Sequence, residues 1–328
     1  MSDPVWTPEI IVDAERARAL IASRFADVRA DRLERLGQGW DNAAYLVDGT
    51  AVFRFPQRAV AAPLVATEIA VLPLLAPRLP LAIPVPRWIG RPDESYPWQF
   101  AGYALLDGTP LDIALPAAND AVRAALARPL ARFLRALHSI DPAPVVAAGL
   151  GPDTIGRMDP VKRIPQARKR LAALVDNATI AAAHADAIVE QFMADAADGT
   201  VPGKDADHRD DAAPREAMRL VIVHGDLYAR HLLVDGSGTL AAVIDWGDVH
   251  AGDRAVDLSV AHEILPRSAH AEFLAEYGDV DARTWRRARW RAIHHAILVA
   301  DYGTAIGDTP LADGGLTALA RITDPIQR

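Results

Sequence analysis

The stretch HGDLYARHLLVDGSGTLAAVIDWGD, from His224 to Asp248, decides the fold. It contains two short apolar runs, residues 232–234 and 240–244, on either side of a glycine-rich turn. Apolar runs of this length are typical of buried strands, and a glycine turn between two of them predicts a hairpin. We therefore expect the polar side chains that flank the two strands to meet at one end of that hairpin.

Three of these flanking side chains, those of Asp226, His231 and Asp245, suggest a chemistry. An aspartate oxygen and an imidazole nitrogen suit a hard divalent cation. Mg²⁺ needs only one or two protein ligands when phosphate oxygens supply the rest. Asp226, if it is not a ligand, can accept a proton from a hydroxyl group. Each residue alone is most simply an ordinary loop residue, whereas the whole arrangement favours a magnesium and phosphate site.

A phosphate site also needs a backbone cradle and a cation, and the N-terminal part of the chain offers both. Gly37 and Gly39 lie in a loop between strand-like segments, where the backbone can approach phosphates closely. Arg54 lies inside the apolar strand VFRFP, so it needs a partner, and Glu68 is the candidate. The plainer alternatives are a simple turn at the glycines and an edge-strand arginine that faces water.

Periodicity divides the chain into two regions of different structure. Before residue 111 the pattern predicts a small, mostly antiparallel sheet with helices at residues 8–29 and 61–78 and strands within residues 33–56 and 98–111. An Asp48-Gly49 pair marks a hairpin. After residue 111 the pattern is mainly helical, apart from the hairpin of the opening stretch.

The composition is that of a folded protein, since 51% of the 328 residues are hydrophobic and 24% are charged. This length suggests about two domains or one large α/β unit. The absence of cysteine excludes disulfides and thiolate metal sites. The N-terminus lacks the layout of a signal peptide, and no apolar run is long enough to span a bilayer. We therefore expect a cytoplasmic protein without a membrane partner.

The charge pattern bears on partners. The net charge of −8 disfavours a nucleic-acid partner and favours a cationic ligand. Five arginines between residues 283 and 291 are predicted to form one solvated helix face rather than a nucleic-acid site. The sequence predicts no particular oligomeric state.

Taken in order, these motifs resemble the aminoglycoside phosphotransferase family, which has a protein-kinase-like fold. The family pattern His-Gly-Asp, Ile-Asp-Trp and Gly-Asp-x-x-x-Asp-Leu appears here from His224, Ile244 and Gly252 onward. The segments LGQGWDNAAYLVDG, VFRFP and FLRALHSID are similar to the corresponding family segments. The resemblance implies an α+β, bilobal fold, with a small antiparallel β-sheet lobe at residues 1–106 and a larger, mainly helical lobe at residues 107–328.

Two positions depart from the common family pattern. His231 stands where most members have asparagine, and Arg254 stands where most have proline. The macrolide 2′-phosphotransferase branch also carries histidine at the first position, in a loop similar to HGDLYARH. The first departure therefore favours a macrolide acceptor, and the second is a loop change of little expected consequence.

The resemblance also implies roles by position. Asp226 corresponds to the catalytic base, and His231 and Asp245 correspond to Mg²⁺ ligands, whereas His224 and Asp257 look structural. The implied nucleotide-binding residues lie in the glycine loop, in the ion pair and in the hinge: Gly37, Gly39, Asp41, Asn42, Arg54, Glu68, Leu105 and Leu106.

The expected activity is transfer of the γ-phosphoryl group of ATP or GTP to a hydroxyl of a small, cationic acceptor. A macrolide is the first candidate, followed by an aminoglycoside or another metabolite alcohol. Its pocket is expected among the helices of residues 111–215 and the C-terminal region. Four aromatic residues could line it, but core packing is the expectation for most of them: Phe273, Tyr277, Trp285 and Trp290. A His/Asp metal-dependent hydrolase and a non-catalytic nucleotide-binding protein are the alternatives from other classes.

Overall fold

The structure, a computed structural model, describes residues 8–36, 41–114, 119–196 and 220–323. The chain divides into two compact units. The first comprises the residues up to Asp107 together with the short segments Ala143–Leu150 and Ala242–Val249, and the second comprises the remainder. Within the described ranges, no helix is both long and apolar enough to cross a membrane.

A five-stranded antiparallel sheet forms the first unit, with the strand order β1-β2-β3-β5-β4. The turn between β2 and β3 contains Asp48 and Gly49, whose φ angles of 51° and 70° suit a tight hairpin turn. The elements of this unit are α1 (Ala14–Ala22), β1 (Leu33–Arg35), β2 (Asn42–Val47), β3 (Ala51–Pro56), α2 (Ala62–Leu75), β4 (Pro86–Gly90) and β5 (Phe100–Ala104).

The two faces of β3 separate the core of the first unit from its charged cluster. Phe53 and Phe55 are fully buried and pack with Tyr45, Tyr96 and Phe100 in one aromatic core. The Phe55 and Phe100 rings lie 4.7 Å apart between centroids. Because successive strand residues point to opposite faces, the arginine between the two phenylalanines points away from this core.

Helices dominate the second unit, beside a three-stranded sheet of order β6-β8-β9 and an antiparallel β7-β10 pair. Two elements, α6 and β9, run across the limits between units. From residue 109 onward the elements along the chain are β6 (Thr109–Pro110), α3 (Leu111–Ala114), α4 (Asp120–Ala124), α5 (Ala127–Ser139), α6 (Pro142–Ala147), α7 (Pro160–Asp176), α8 (Ala182–Asp195), β7 (Val221–Val223), β8 (Leu232–Val234), β9 (Leu240–Val243), β10 (His250–Gly252), α9 (Ala255–Ile264), α10 (His270–Tyr277), α11 (Ala282–Ile306) and α12 (Thr309–Thr323).

The 25-residue helix α11 lies at the centre of the second unit and packs against α7, α8, α9 and α12. Its start is capped by Asp281, whose carboxylate accepts a hydrogen bond from Thr284 N at 2.8 Å. It ends at Gly307, whose φ of 71° suits glycine. Trp290 of α11 stacks on Phe192 with 5.0 Å between centroids. This helix therefore provides a rigid support for side chains on its other faces.

Several expectations from the sequence need correction here. The predicted solvated arginine face is wrong, because Arg287 and Arg291 are buried and Arg287 pairs with Asp253. The helix expected at residues 8–29 is shorter, and β4 and β10 were not predicted. The expected core positions of Phe273 and Trp290 are confirmed, since both are fully buried.

Gly90 offers a test of the aromatic core. A Cβ atom at this position would overlap the ring of Phe100, which is fully buried and cannot move freely. We expect Gly90→Ala to lower the free energy of unfolding by about 1–3 kcal/mol in urea denaturation. Gly236→Ala is the matched control, because nothing lies within 4 Å of its Cβ position. Equal stability of the two variants would contradict the packing described.

Candidate active site

A buried ion cluster lies on the sheet face opposite the aromatic core of the first unit. Arg54 of β3 donates to Glu68 Oε1 of α2 at 3.0 Å and to Asp245 Oδ1 at 2.9 Å. Tyr103 of β5 donates to Glu68 Oε2 at 2.9 Å. The predicted partnership of Arg54 and Glu68 is therefore present, and the alternative of a water-facing edge arginine is wrong.

Burial sets the charges of this cluster. Burial alone would lower the pKa of Arg54, but the negative charges of Asp245 and Glu68 raise it above its usual value. Burial raises the pKa of Glu68, and Arg54 and Tyr103 oppose that rise. Because Arg54 stays protonated, it supplies a permanent cation whose two carboxylate partners belong to different parts of the chain.

The turn that follows β9 presents Asp245. Its φ of 61° is rare for a residue other than glycine, and such conformations are common at functional sites. The next residue, Trp246, is fully buried and donates from Nε1 to Val243 O at 3.0 Å, which anchors the turn. The Asp245 side chain remains 46% exposed. Its carboxylate is therefore accessible although Arg54 holds one of its oxygens.

In the second unit, the loop of residues 224–231 joins β7 to β8 and is held by Asp257 of α9. The Asp257 carboxylate accepts hydrogen bonds from His224 N at 2.7 Å and Gly225 N at 2.9 Å. His138 Nε2 of α5 lies 3.2 Å from the same carboxylate. Arg157 Nε donates to Gly225 O at 2.9 Å. These contacts fix the start of the loop on α5 and α9 and on the segment that precedes α7.

Asp226 projects from this loop with a side chain that is 32% exposed. Its Oδ1 lies 3.3 Å from Nε2 of His295 on α11. Burial alone would raise the pKa of Asp226, but the hydrogen bond and charge of His295, with the charges of His231 and Arg291, lower it below its ordinary value. Asp226 is therefore an anion at neutral pH.

His295 and its partner Glu263 were missed from the sequence. His295 Nδ1 lies 3.0 Å from Glu263 Oε2 of α9, and both side chains are buried. Neither belongs to a motif, and their separations from Asp226 along the chain carry no local pattern. The only signal was a pair of histidines, 294 and 295, on a helix that also buries aromatic residues.

The predicted metal ligands have suitable chemistry, each in its own unit. His231 Nδ1 lies 2.7 Å from the carbonyl oxygen of Asp226 and donates to it, so Nε2 is the nitrogen left for a metal. Histidine ligands to metals are commonly oriented in this way. The carboxylate of Asp245 is the type of oxygen donor that Mg²⁺ prefers. In the part of the chain that the structure describes, no three His, Asp or Glu side chains form a metal cluster.

A cavity of about 250 Å³ lies beside the 224–231 loop within the second unit. Tyr228 and Ala229 of that loop form part of its wall. Three carboxylate residues, Asp112, Glu263 and Asp313, also line it. The remaining wall is largely apolar and includes Leu111, Ile113, Ile264, Val299, Pro310 and Leu311.

Two of these cavity carboxylates, those of Asp112 and Glu263, each have one oxygen held and one unsatisfied. Asp112 Oδ2 accepts from Arg230 Nε at 2.7 Å, and Glu263 Oε2 lies against His295. Asp112 Oδ1 and Glu263 Oε1 are buried and find no hydrogen-bond donor among the described residues. Since an unsatisfied buried carboxylate oxygen is costly, the cavity suits a ligand that carries a donor or a positive charge.

The other predicted nucleotide-binding residues are distributed along the first unit. Gly37 and Gly39 lie outside the described residues. Asp41 pairs with Arg58 at 2.5 Å, and Asn42 begins β2. Leu105 and Leu106 follow β5, and Leu105 N donates to Thr50 O at 2.8 Å.

A sequence profile described as the phosphotransferase enzyme family matches residues 32–291. Among curated proteins, the uncharacterized protein YcbJ of Bacillus subtilis (strain 168) is 29% identical over 66 residues. That match spans 20% of this chain and 22% of YcbJ, so it covers about a fifth of the relative's length.

Solved structures match almost the whole chain. The GDP complex of wild-type aminoglycoside 2'-phosphotransferase-IIIa has 22% identity and a TM-score of 0.68, over 95% of this chain and 99% of that one. The macrolide 2'-phosphotransferase MphH from Brachybacterium faecium, an apoenzyme, has 25% identity and a TM-score of 0.59, over 96% and 99%. The GDP and kanamycin complex of APH(2")-IIia has 23% identity and a TM-score of 0.65, over 93% and 97%. The expected α+β, protein-kinase-like fold is confirmed.

The Asp257 contacts generate a stability prediction. Asp257→Asn puts an amide N–H₂ group against backbone donors, so we expect a loss of about 1–3 kcal/mol in the free energy of unfolding for each donor left unsatisfied. Burial alone would raise the pKa of Asp257, but the hydrogen bonds and charges of His138 and His224 and the Gly225 amide hold it below its ordinary value. The ionised Asp257 therefore contributes to the free energy of unfolding above about pH 4, and this contribution is lost as the pH falls further.

Urea denaturation at several pH values measures this effect. The difference between wild type and Asp257→Asn should be largest near neutral pH and should shrink in acid. Asp281→Asn is the control, because Asp281 also accepts from a backbone amide but is exposed. A difference for Asp257→Asn that does not change with pH would contradict a charged Asp257 in the folded protein.

Proposed function

The chain belongs to the phosphotransferase enzyme family, and we propose that it transfers the γ-phosphoryl group of ATP or GTP to a hydroxyl of a small, amine-bearing acceptor. A macrolide is the leading acceptor and an aminoglycoside the runner-up. The observation that carries this proposal is the anionic Asp226 on a loop held by buried hydrogen bonds, beside a cavity with two unsatisfied carboxylate oxygens. The product would be a phosphate monoester of the acceptor.

In this proposal Asp226 accepts the hydrogen bond of the acceptor hydroxyl. The acceptor oxygen forms the new bond to the γ-phosphorus, the bond from phosphorus to the bridging oxygen breaks, and the nucleoside diphosphate leaves with that oxygen. The hydroxyl proton passes to the Asp226 carboxylate. Phosphoryl transfer has a loose transition state, so orientation of the hydroxyl matters more than strong basicity. The lowered pKa of Asp226 is compatible with such a role.

Mg²⁺ would supply charge neutralisation at the phosphate oxygens. We assign its protein ligands to His231 and Asp245, whose donor atoms suit it as described above. Arg54 is assigned to the nucleotide phosphates, with Glu68 holding its guanidinium in place. The first of the two proposed lobes, residues 1–106, would bind the nucleotide through Gly37, Gly39, Asp41, Asn42, Leu105 and Leu106.

The cavity wall favours a particular class of acceptor. A mainly apolar surface, on which two carboxylates keep an unsatisfied oxygen, suits a bulky apolar body with one amine, as in a macrolide that carries an amino sugar. A polycation such as an aminoglycoside would need more carboxylates, although the cavity also includes Asp313. The histidine at position 231 favours the same choice through its resemblance to the macrolide branch.

The hydrolase alternative is less well supported. It requires His224 as a metal ligand, yet this side chain is fully buried and its Nδ1 accepts from Asp226 N at 3.3 Å. A hydrolase site of this kind would also leave the ion pair between Arg54 and Glu68 without a function.

A nucleotide-release assay tests the proposed function. The protein is incubated with Mg²⁺ and ATP or GTP in separate reactions, each against macrolides, aminoglycosides and simple amino alcohols. We expect acceptor-dependent release of nucleoside diphosphate, strongest with a macrolide. Asp226→Asn should reduce kcat by roughly 10²–10⁴-fold, the range for loss of a general base. No acceptor-dependent turnover with any compound would contradict the proposal.

Asp112→Asn tests the acceptor class. Losing a charge-assisted contact with the acceptor amine should raise KM by roughly tenfold or more, with kcat changed little. The same variant should show no such rise with an acceptor whose amine has been acylated. Asp186→Asn, at an exposed carboxylate on α8, is the control. A KM rise of equal size for both acceptors would contradict an amine contact.

A further inference from the structure

We propose that His295 is a positioning residue that holds the Asp226 carboxylate for the acceptor hydroxyl, and that Glu263 anchors His295 from the acceptor cavity. This inference rests on the proposed function. It adds two residues that belong to no motif of the catalytic loop.

The geometry is a continuous chain of contacts. Glu263 Oε2 lies 3.0 Å from His295 Nδ1, and His295 Nε2 lies 3.3 Å from Asp226 Oδ1. Each of the two imidazole nitrogens therefore lies against one carboxylate. Only a doubly protonated ring can donate to both, because a neutral imidazole has one N–H. With Oδ1 of Asp226 held in this way, we assign Oδ2 to the acceptor hydroxyl.

The surroundings of His295 favour the charged ring. Its side chain is 4% exposed and that of Glu263 is 6% exposed. Burial and the nearby Arg291 and His294 of α11 disfavour a positive charge on His295. Glu263 of α9 and Asp226 favour that charge. The ring of Tyr228, from the catalytic loop, covers it with 5.1 Å between centroids. The balance raises the pKa of His295 to about 9, so the ring is an imidazolium at neutral pH.

The supporting elements explain why this contact would matter for rate. Asp226 lies on a loop, whereas His295 lies on the 25-residue helix α11 and Glu263 on the buried helix α9. Groups carried by packed helices are held more accurately than groups on loops. Glu263 lines the cavity, and its Oε1 is buried without a donor among the described residues. An acceptor amine bound there would therefore lie beside the carboxylate that anchors His295.

Steady-state kinetics of His295 variants test the proposal. His295→Leu removes the donor to Asp226, and we expect kcat to fall at least tenfold with the acceptor KM within about threefold. His295→Gln keeps an N–H at the position of Nε2 and should recover most of that loss. His184→Leu, at an exposed histidine on α8, is the matched control and should leave both constants unchanged. If His295→Leu keeps wild-type kcat, the proposal is overturned.

The pH profile separates positioning from simple structural support. Wild-type kcat should fall as the pH rises through about 9, because the imidazolium loses the proton that one carboxylate needs. His295→Gln should lack that alkaline decline. An identical alkaline limb in both proteins would overturn the role of His295.

Glu263→Gln should differ in its kinetics from Asp112→Asn, which alters a second carboxylate of the cavity. Loss of Glu263 is expected to lower kcat and raise the acceptor KM together, because it both anchors His295 and faces the cavity. Loss of Asp112 is expected to raise KM alone. A Glu263 variant with wild-type kcat would overturn the anchoring role.

Imidazole NMR titration provides a readout that does not depend on turnover. The His295 ring should titrate near pH 9 in the wild type and at a lower pH in Asp226→Asn and in Glu263→Gln. If the wild type turns over an acceptor but His295 titrates near its ordinary pKa, the positioning role of His295 is overturned and the proposed function is not. If His295 titrates as expected but no acceptor is turned over, the proposed function is overturned instead. The contact between His295 and Asp226 would then have no catalytic role.

Discussion

The buried carboxylate of Asp257 is the interaction on which the proposed catalytic loop depends. It accepts the backbone N–H groups of His224 and Gly225 and lies against His138. A loop between two buried strands has backbone donors that water cannot reach, so they need an internal acceptor. Asp257 supplies that acceptor from the first turn of α9, and Asp226 follows Gly225 directly. The position of Asp226 is therefore set by a structural carboxylate on α9, which His138 of α5 also contacts.

A repeated arrangement of charges accompanies this constraint. Three cations each lie between two carboxylates: Arg54 between Glu68 and Asp245, Arg230 between Asp112 and Asp308, and His295 between Glu263 and Asp226. Each group carries a net charge of about −1 when all members are ionised. Such a group satisfies its own buried charges and still attracts a cation. This pattern suits a protein proposed to bind Mg²⁺ and an amine. The three groups are also part of the overall net charge of −8.

Local sequence patterns predicted much of this structure. The Asp48-Gly49 pair identified its hairpin, and the apolar surroundings of Arg54 required the partner that Glu68 supplies. Strand β4 was missed because prolines precede and begin it, and proline weakens any strand pattern. The buried Arg287 was mistaken for a surface residue because its partner, Asp253, lies 34 residues away. His295 and Glu263 escaped for the same reason, since only the tertiary fold brings them to Asp226.

If a phosphoryl group moves from a nucleotide to an acceptor hydroxyl, as proposed, a label on that group follows the transfer. A nucleoside triphosphate labelled at the γ-phosphorus is incubated with the protein, Mg²⁺ and a macrolide, and the products are separated and identified by mass. We expect the label to be recovered as a phosphate monoester of the macrolide, with one nucleoside diphosphate formed per ester. Label found only as inorganic phosphate, with the acceptor unmodified, would contradict it.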